Sequence, residues 1–318
     1  MDTRRELLRI LGLPIFENEE ELASLMHISP SIIKVIVLHP QRFYKKYRIR
    51  KSSGKWRSIK QPSRGLKGIQ AWILRSIIEK IEPSIYATGY IKMKNIYYYN
   101  VLQHCNNRYF MSLDLEDFFP SISTRRVIKK FEIIGYSSKA SYILSRLCTF
   151  EGNLPQGAVT SPCLSNWIAS QLDRRIGGYA ARTNMIYTRY SDDITLSSNN
   201  RILLRKSLSR ILKIIKTEHF TPNLKKLRVM GPGNRCAITG LVKNDTEACF
   251  GIGTKKKRVM RAVIHNYVFK SQTDVKYNTD DSIYGWIEYL RVVDQSSYDQ
   301  MNLYINKIIE KSVLAASS

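Results

Sequence analysis

The sequence contains few cysteines, and their spacing argues against two kinds of structural site. The five cysteines are scattered, no C-x-x-C pair occurs, and the five histidines do not cluster near them. Structural zinc sites and small disulfide scaffolds both depend on recurrent, closely spaced cysteines. We therefore expect neither structural zinc nor a disulfide framework, which fits a reducing cytoplasm.

Long apolar runs are also missing. No apolar stretch approaches the roughly 20 residues that a membrane-spanning helix needs. The N-terminus, Met1–Glu6, leads into a mixed amphipathic segment instead of the apolar core of a signal peptide. Internal repeats and low-complexity linkers are absent as well. We expect a cytoplasmic protein with no membrane partner, whose parts pack as one continuous body.

Acidic residues are scarce relative to basic ones. The 318 residues include 51 Lys plus Arg against 26 Asp plus Glu, a formal charge of +25. Such an excess repels itself, and binding to a polyanion gives it a use because each neutralised phosphate releases counterions. The positive charge is spread along the chain and not concentrated in one amphipathic helix, which favours nucleic acid over a membrane surface.

The spacing of apolar residues predicts helices and strands in a mixed order. Helices are predicted up to about Pro40, over 68–81, from Ser123 to Gly135, from Pro162 to Gly177-Gly178, over 204–215 and beyond Gly253. Strands are predicted over 47–50 and 56–59, with Gly54 in the turn, and over 108–115, 186–190, 194–197, 227–230 and 237–242. The β-α-β-β centre predicts an α+β fold with a ferredoxin-like antiparallel sheet and α-helical additions.

Three acids are placed where a metal site would need them. Asp114 ends a predicted strand, and Asp192 and Asp193 lie at the tip of a predicted hairpin. Nucleotidyl transfer uses two cations about 4 Å apart, which stabilise the attacking and leaving oxygens. Mg²⁺ prefers carboxylate oxygens, so convergence of these acids predicts a polymerase active site.

Three motifs in order resemble the reverse transcriptases. The segment Ser112–Ile122 (SLDLEDFFPSI) resembles the first acidic motif of that family, and Leu154–Pro162 (LPQGAVTSP) resembles its LPQG…SP motif. Tyr190–Asp193 (YSDD) resembles its Y-x-D-D box, with Ser in place of the commoner Ala. The resemblance covers most of the chain.

The resemblance implies roles for individual residues. Asp114 and Asp192 would hold two Mg²⁺ ions, with Mn²⁺ as a substitute, and Asp193 would bind less directly. Phe119 would form the floor under the incoming sugar and exclude a 2′-hydroxyl, and Gln156 and Gly157 would line the dNTP pocket. A core phenylalanine and an ordinary loop are the alternatives for these last three residues.

Basic residues complete the implied pocket. Lys55-Trp56-Arg57 resembles the fingers hairpin of the family, where Arg57 would bind the triphosphate, with Arg64 as a second candidate. A guanidinium suits a phosphate better than a point charge does. Lys226, in the Lys225-Lys226 pair, would protonate the leaving pyrophosphate or would lie at the surface near the duplex.

Further details resemble the bacterial retron branch. Asn100–His104 (NVLQH) is similar to the retron N-A-x-x-H signature, and Ile238–Gly240 (ITG) is similar to its V-T-G. The branch therefore implies RNA contacts from Asn100, His104, Thr239 and Gly240. Thumb contacts to RNA are expected from a basic cluster, the residues Lys255, Lys256, Lys257, Arg258 and Arg261.

The resemblance implies a right-hand polymerase with fingers, palm and α-helical thumb. We expect an N-terminal helical extension over 1–40, fingers over 41–107 and 125–165, palm over 108–124 and 166–243, and thumb over 244–318.

The implied function is reverse transcription of a cognate structured non-coding RNA. Synthesis would be primed by the 2′-hydroxyl of an internal guanosine, would consume dNTPs and would give a branched RNA–DNA product (msDNA). A role in antiphage defence with an effector protein is also implied. The alternatives are an intron-type or diversity-generating reverse transcriptase, a non-catalytic RNA-binding scaffold, and an RNA-dependent RNA polymerase, which Phe119 disfavours.

Overall fold

The computed structural model describes residues 3–50, 54, 56–92, 96–243, 249–269 and 280–316. The predicted fingers residue Lys55 lies outside these ranges. The helices are α1 (Thr3–Ile10), α2 (Glu19–Met26), α3 (Pro30–Leu38), α4 (Arg64–Ser76), α5 (Ile96–Leu102), α6 (Thr124–Ile133), α7 (Ser138–Cys148), α8 (Ser161–Arg182), α9 (Arg201–Thr217), α10 (Thr254–Phe269), α11 (Asp280–Val293) and α12 (Gln295–Ala316). The strands are β1 (Tyr44–Arg50), β2 (Trp56–Pro62), β3 (Tyr109–Glu116), β4 (Ile186–Tyr190), β5 (Asp193–Ser198), β6 (Thr221–Met230), β7 (Ala237–Ile238), β8 (Leu241–Lys243) and β9 (Phe250–Gly251).

The central sheet is antiparallel, with strand order β4-β5-β3-β6. Successive side chains of its middle strand β3 point to opposite faces of the sheet, and both faces are covered. Met111, Leu113 and Leu115 enter the main hydrophobic core, whereas Phe110 enters a second core built largely from the C-terminal helices. The α+β fold with an antiparallel sheet that the sequence predicted is therefore confirmed.

The β1–β2 hairpin pairs in the register Tyr44↔Pro62 to Arg50↔Trp56 and is exposed along most of its length. Helices that precede and follow the strands of the central sheet in the chain pack on the main core, as the apolar spacing predicted. Ser123 caps α6 by accepting a hydrogen bond from the Arg126 N–H. Within the described ranges, none of the helices is long and apolar enough to cross a membrane.

The predicted end of α8 at Gly177-Gly178 is wrong. The helix continues through both glycines to Arg182. A Cβ on Gly177 would lie 2.2 Å from ring atoms of Tyr86. Gly177 is therefore needed because the Tyr86 ring packs directly against the helix backbone. This tertiary contact outweighs the low helix propensity of glycine. Helix α7 was not predicted at all.

The cysteines depart from the expectation in one respect. Cys105 and Cys249 form a disulfide, with Cα atoms 5.8 Å apart and a sequence separation of 144. Cys148 and Cys236 are free and buried, and Cys163 is free and half-buried. The sequence argued against a disulfide framework and gave no sign of this single pair, because partners this far apart in the chain leave no spacing pattern.

Candidate active site

The three acids singled out in the sequence meet at one end of the central sheet. Asp114 on β3 lies opposite Asp193 on β5 in the antiparallel register. A two-residue turn, Ser191-Asp192, joins β4 to β5, and the Leu115 N–H donates to the Asp192 carbonyl oxygen at 3.0 Å. Residues far apart in the sequence therefore become neighbours because β3 and the hairpin share a sheet.

The carboxylates strain one another electrostatically. Desolvation first, and then the charges of Asp192 and Asp114, raise the pKa of Asp193 to about 6. Desolvation and the charge of Asp114 also raise the pKa of Asp192. Neighbouring like charges disfavour ionisation. A cation bound at this end of the sheet would therefore stabilise the ionised carboxylates.

Lys226 partly compensates the acids. Its Nζ donates to Asp114 Oδ1 at 2.7 Å, and this hydrogen bond raises the pKa of Lys226. The register between β3 and β6 shifts between Ser112 and Asp114, so that Lys226 lies in the extra residues of β6. The irregularity explains how a lysine outside the ladder reaches the acid.

The donor set fits a divalent cation. Carboxylate oxygens are the ligands Mg²⁺ prefers, and Asn223 Oδ1, in the same cavity, is buried without a hydrogen-bond partner among the described residues. Within the described ranges, no three His, Cys, Asp or Glu side chains lie close enough together to hold a metal ion as they stand. Lys226 Nζ occupies Asp114 Oδ1, so the lysine would compete with a cation for that oxygen.

A cavity of about 870 Å³ opens in front of the acids, and we call it the central cavity. Eight of the predicted catalytic and dNTP-binding residues line it: Arg57, Asp114, Phe119, Gln156, Gly157, Asp192, Asp193 and Lys226. Arg64, the ninth, is exposed at the start of α4 and is not part of the lining. The fold thus brings together residues from β2, β3, the loop before α8, the β4–β5 turn and β6.

Gly157 has a structural task in addition to the predicted one. Its φ is +118°, and a Cβ there would lie 3.0 Å from Ile59 Cγ2 and 3.1 Å from the Lys60 carbonyl oxygen. The Lys60 N–H donates to the Gln156 carbonyl oxygen at 2.7 Å. The close approach that the glycine permits is therefore made to β2, and it holds the exposed hairpin over the cavity.

Sequence reasoning missed Arg189, one residue before the YSDD turn. Its side chain is fully buried and makes a bidentate pair with Asp173 on α8, with both contacts at 2.7 Å. Its Nη1 donates to the Ser191 carbonyl oxygen at 2.9 Å, and the Tyr187 hydroxyl donates to Asp173 Oδ1 at 2.8 Å. An arginine inside a predicted strand was the available signal, since a buried charge requires a partner.

Two residues predicted to bind RNA are buried instead. His104 Nδ1 lies 2.7 Å from Ser197 Oγ, and Nε2 lies 2.8 Å from Thr188 Oγ1, so both ring nitrogens are used. Asn100 Oδ1 accepts from the Thr88 hydroxyl at 2.9 Å. Both side chains are thus buried and hydrogen-bonded within the protein, and the RNA contacts expected of Asn100 and His104 stay predictions.

Burial of His104 predicts a pH-dependent stability. Desolvation lowers its pKa to about 3 from 6.5. Because the unfolded chain binds the proton first, its contribution is complete above pH 6.5 and is lost as pH falls toward 3. Against His104→Asn, we expect the wild-type free energy of unfolding to fall by about 1.4 kcal/mol more per pH unit in this window. Denaturant titrations between pH 7 and 4 measure the slopes. Equal slopes for His104→Asn and wild type would contradict the assignment.

The second predicted RNA motif forms the tight turn between β7 and β8. Thr239 and Gly240 both have positive φ, 46° and 85°. Asn100 Nδ2 donates to Thr239 Oγ1 at 3.4 Å, so the structure joins the two retron-like signatures. Thr239 and Gly240 also line a cavity of about 360 Å³ next to Tyr190 and Asp193.

The basic cluster opens helix α10. Lys255, Lys256, Arg258 and Arg261 are exposed, and Lys257 is half-buried, with its Nζ 3.8 Å from Asp294. Lys256 Nζ donates to the Gly240 carbonyl oxygen at 3.3 Å, which connects the cluster to the β7–β8 turn. The Arg261 guanidinium lies 5.5 Å from the centre of the Tyr304 ring.

Comparison with known proteins agrees with the geometry. The family described as reverse transcriptase (RNA-dependent DNA polymerase) matches residues 49–276. Retron Ec86 reverse transcriptase of Escherichia coli is 34% identical over 306 residues, covering 96% of this chain and 93% of the relative. Retron Mx65 reverse transcriptase of Myxococcus xanthus is 28% identical over 301 residues, covering 88% of this chain and 70% of the relative.

A telomerase from Candida albicans, solved in complex with a fragment of telomeric RNA, aligns with a TM-score of 0.48 and 9% identity. The alignment covers 87% of this chain, which spans 58% of the length of the solved chain.

Proposed function

This chain belongs to the retron branch of the reverse transcriptases, which are RNA-directed DNA polymerases with a right-hand fold, and from that premise we propose that the central cavity is its polymerase site. The proposal is supported above all by the meeting of Asp114, Asp192 and Asp193 in front of a cavity that the β2 strand partly covers. In keeping with this, we retain the predicted boundaries of fingers, palm and thumb.

The proposed chemistry is attack by a primer hydroxyl on the α-phosphate of a dNTP. Asp114 and Asp192 would hold two Mg²⁺ ions, with Asp193 in a less direct position. Bound there, the ions would stabilise the attacking and leaving oxygens. Arg57 would bind the triphosphate, and Gln156 and Gly157 would shape the wall opposite the acids. Lys226, released from Asp114, would then be positioned near the leaving group.

Phe119 is proposed as the floor under the sugar. Its ring is half-buried in the central cavity, and the neighbouring Phe118 ring packs in the main core with centroids 5.6 Å apart. The buried ring fixes the position of the exposed one. A 2′-hydroxyl would collide with it, which favours dNTPs and disfavours an RNA-dependent RNA polymerase.

The proposed template and primer is a cognate structured non-coding RNA. Synthesis would begin at an internal guanosine 2′-hydroxyl and give branched msDNA, and a nearby effector protein would act with the product in antiphage defence. Sequencing the nucleic acid that copurifies with the chain tests this directly. A branched RNA–DNA species is expected; heterogeneous linear RNA would argue for the intron-type or diversity-generating alternative.

A primer-extension assay with Mg²⁺ and dNTPs on an RNA template tests the chemistry. Incorporation of dNTPs is expected, whereas RNA binding without incorporation would favour the non-catalytic scaffold.

The basic cluster is proposed to bind the phosphates of the RNA. Replacing the exposed Lys255 and Arg258 by Gln should weaken RNA binding and reduce the slope of log K against log salt by about 0.7–0.9 per lost phosphate contact. Filter binding at several salt concentrations measures this slope. Lys206→Gln with Arg210→Gln, two exposed cations on α9, is the matched control, and an unchanged slope for the α10 pair would count against the assignment.

A further inference from the structure

The segment before Tyr90 lies directly against the strand that carries the acid turn. The Arg189 N–H donates to the Tyr86 carbonyl oxygen, and the Thr88 N–H donates to the Arg189 carbonyl oxygen, both at 2.8 Å. A Cβ on Gly89 would lie only 3.0 Å from the Ser191 backbone nitrogen. The segment therefore approaches the YSDD turn as closely as backbone atoms allow.

At the point of closest approach, two side-chain hydroxyls meet. Tyr90 Oη lies 2.9 Å from Ser191 Oγ, although 101 residues separate them in the sequence. Ser191 also hydrogen-bonds the carboxylate of Asp192, which opposes the rise in the pKa of that acid. A continuous polar chain thus runs from Tyr90 through Ser191 to one of the proposed metal ligands.

Both residues of this pair have unusual backbone conformations. The φ of Tyr90 is 60° and that of Ser191 is 59°. The left-handed region is unfavourable for a bulky residue such as tyrosine, and such conformations persist where surrounding contacts enforce them. Here the paired hydroxyls, the Asn166 amide donating to the Gly89 carbonyl oxygen at 2.7 Å, and the backbone bonds to β4 supply that enforcement.

The Tyr90 ring belongs to the nucleotide side of the site. It lines the central cavity with about a third of its surface exposed. Its centroid lies 6.2 Å from that of Phe119 and 6.3 Å from that of Tyr190, within the range of favourable aromatic pairs. Tyr90 therefore touches both the proposed sugar floor and the acid turn.

We propose that Tyr90 is a specificity-determining residue of the nucleotide pocket, which supports the Phe119 ring under the sugar, and that its hydroxyl pair with Ser191 holds it there. The pair gives a function to the serine that replaces the commoner alanine of the YSDD box, because alanine has no hydroxyl to offer. The inference rests on the proposed polymerase site and extends it to a residue outside all three sequence motifs.

The test compares Tyr90→Phe, Ser191→Ala and the double variant in primer extension with single dNTPs and NTPs. Each single variant should raise KM for dNTP by about 3- to 10-fold, the worth of one hydrogen bond, with kcat within about twofold. The ratio of kcat/KM for dNTP to that for NTP should fall. The double variant should match the single variants, because both remove the same contact.

The controls separate positioning from general destabilisation. Tyr142→Phe on α7 and Ser209→Ala on α9 remove exposed hydroxyls elsewhere and should leave both constants unchanged. The dNTP-to-NTP ratio does not depend on the fraction of folded enzyme, so it remains informative for a variant of reduced stability. Phe119→Ala gives the reference for a fully opened floor.

Three results would overturn the inference: multiplicative effects of the two single changes, a fall in kcat at constant KM, or an unchanged dNTP-to-NTP ratio. Failure of the proposed function is distinguishable, since the wild-type chain itself would then incorporate no dNTP. A wild-type enzyme that is active beside unaffected Tyr90 and Ser191 variants would refute this inference and leave the proposed polymerase site standing.

Discussion

Replacing Asp192 with asparagine is expected to lower the rate of nucleotide incorporation by about a thousandfold or more. The change removes one proposed carboxylate ligand from a site where bound cations would contribute several kcal/mol of transition-state stabilisation, and each 1.36 kcal/mol is a tenfold change in rate. Single-turnover primer extension with saturating Mg²⁺ and dNTP measures the effect. Asp193→Asn should show a smaller loss, because its role is proposed to be less direct.

The loss should not come from unfolding. Desolvation and the Asp114 charge raise the pKa of Asp192, so the ionised carboxylate is unfavourable in the metal-free protein. Thermal unfolding in EDTA should therefore show Asp192→Asn to be at least as stable as wild type. Asp117→Asn, an exposed acid of the same cavity whose φ of 44° asparagine tolerates, is the matched control and should retain activity. Retained activity in Asp192→Asn would remove the basis for the polymerase site.

The second large effect is expected on stability, from breaking the buried pair of Arg189 and Asp173. Asp173→Asn should lower the free energy of unfolding by about 3–5 kcal/mol, because it leaves the Arg189 charge buried without its counter-charge. Both side chains are inaccessible to solvent, and Arg189 also holds the Ser191 carbonyl oxygen. Urea denaturation gives the loss of stability, and incorporation assays below the unfolding range show whether the YSDD turn shifts as well.

An exposed ion pair provides the comparison. Arg291 and Glu288 on α11 are 2.7 Å apart, with more than half of each side chain exposed. Glu288→Gln should cost less than about 1 kcal/mol, since solvent screens surface pairs. Equal effects of the two substitutions would contradict the predicted cost of leaving the Arg189 charge buried without Asp173.

The features that could be predicted from the sequence are those that depend on residues close together in the chain. The strand β3, the acid hairpin and the order of helices came from apolar spacing, which is a local property. Gly177 misled because the reason for that glycine is the Tyr86 ring, remote in sequence. The signature likewise gave the identity of His104 and Asn100, whereas only the tertiary structure decided that both side chains are buried.

The residues of the candidate site likewise fall into those that belong to local motifs and those that depend on partners remote in sequence. The acids, Phe119, Gln156 and Gly157 belong to motifs whose residue types announce metal and nucleotide chemistry. Asp173, Tyr90 and the Cys105–Cys249 disulfide carry no local pattern, and Arg189 offered only its place inside a predicted strand, because each acts through a partner that only folding brings near.

By itself, the sequence determined the chemistry of this protein: its charge excess, its three acids and the order of its motifs are fixed by residue type and position along the chain. Tertiary structure alone decided which side chains hold that chemistry in place. Contacts such as Lys226 with Asp114, or Tyr90 with Ser191, join residues that lie about a hundred positions apart. The first contact exists because β3 and β6 share one sheet, and the second because the segment before Tyr90 hydrogen-bonds to β4. Neither pairing can be read from the order of residues along the chain.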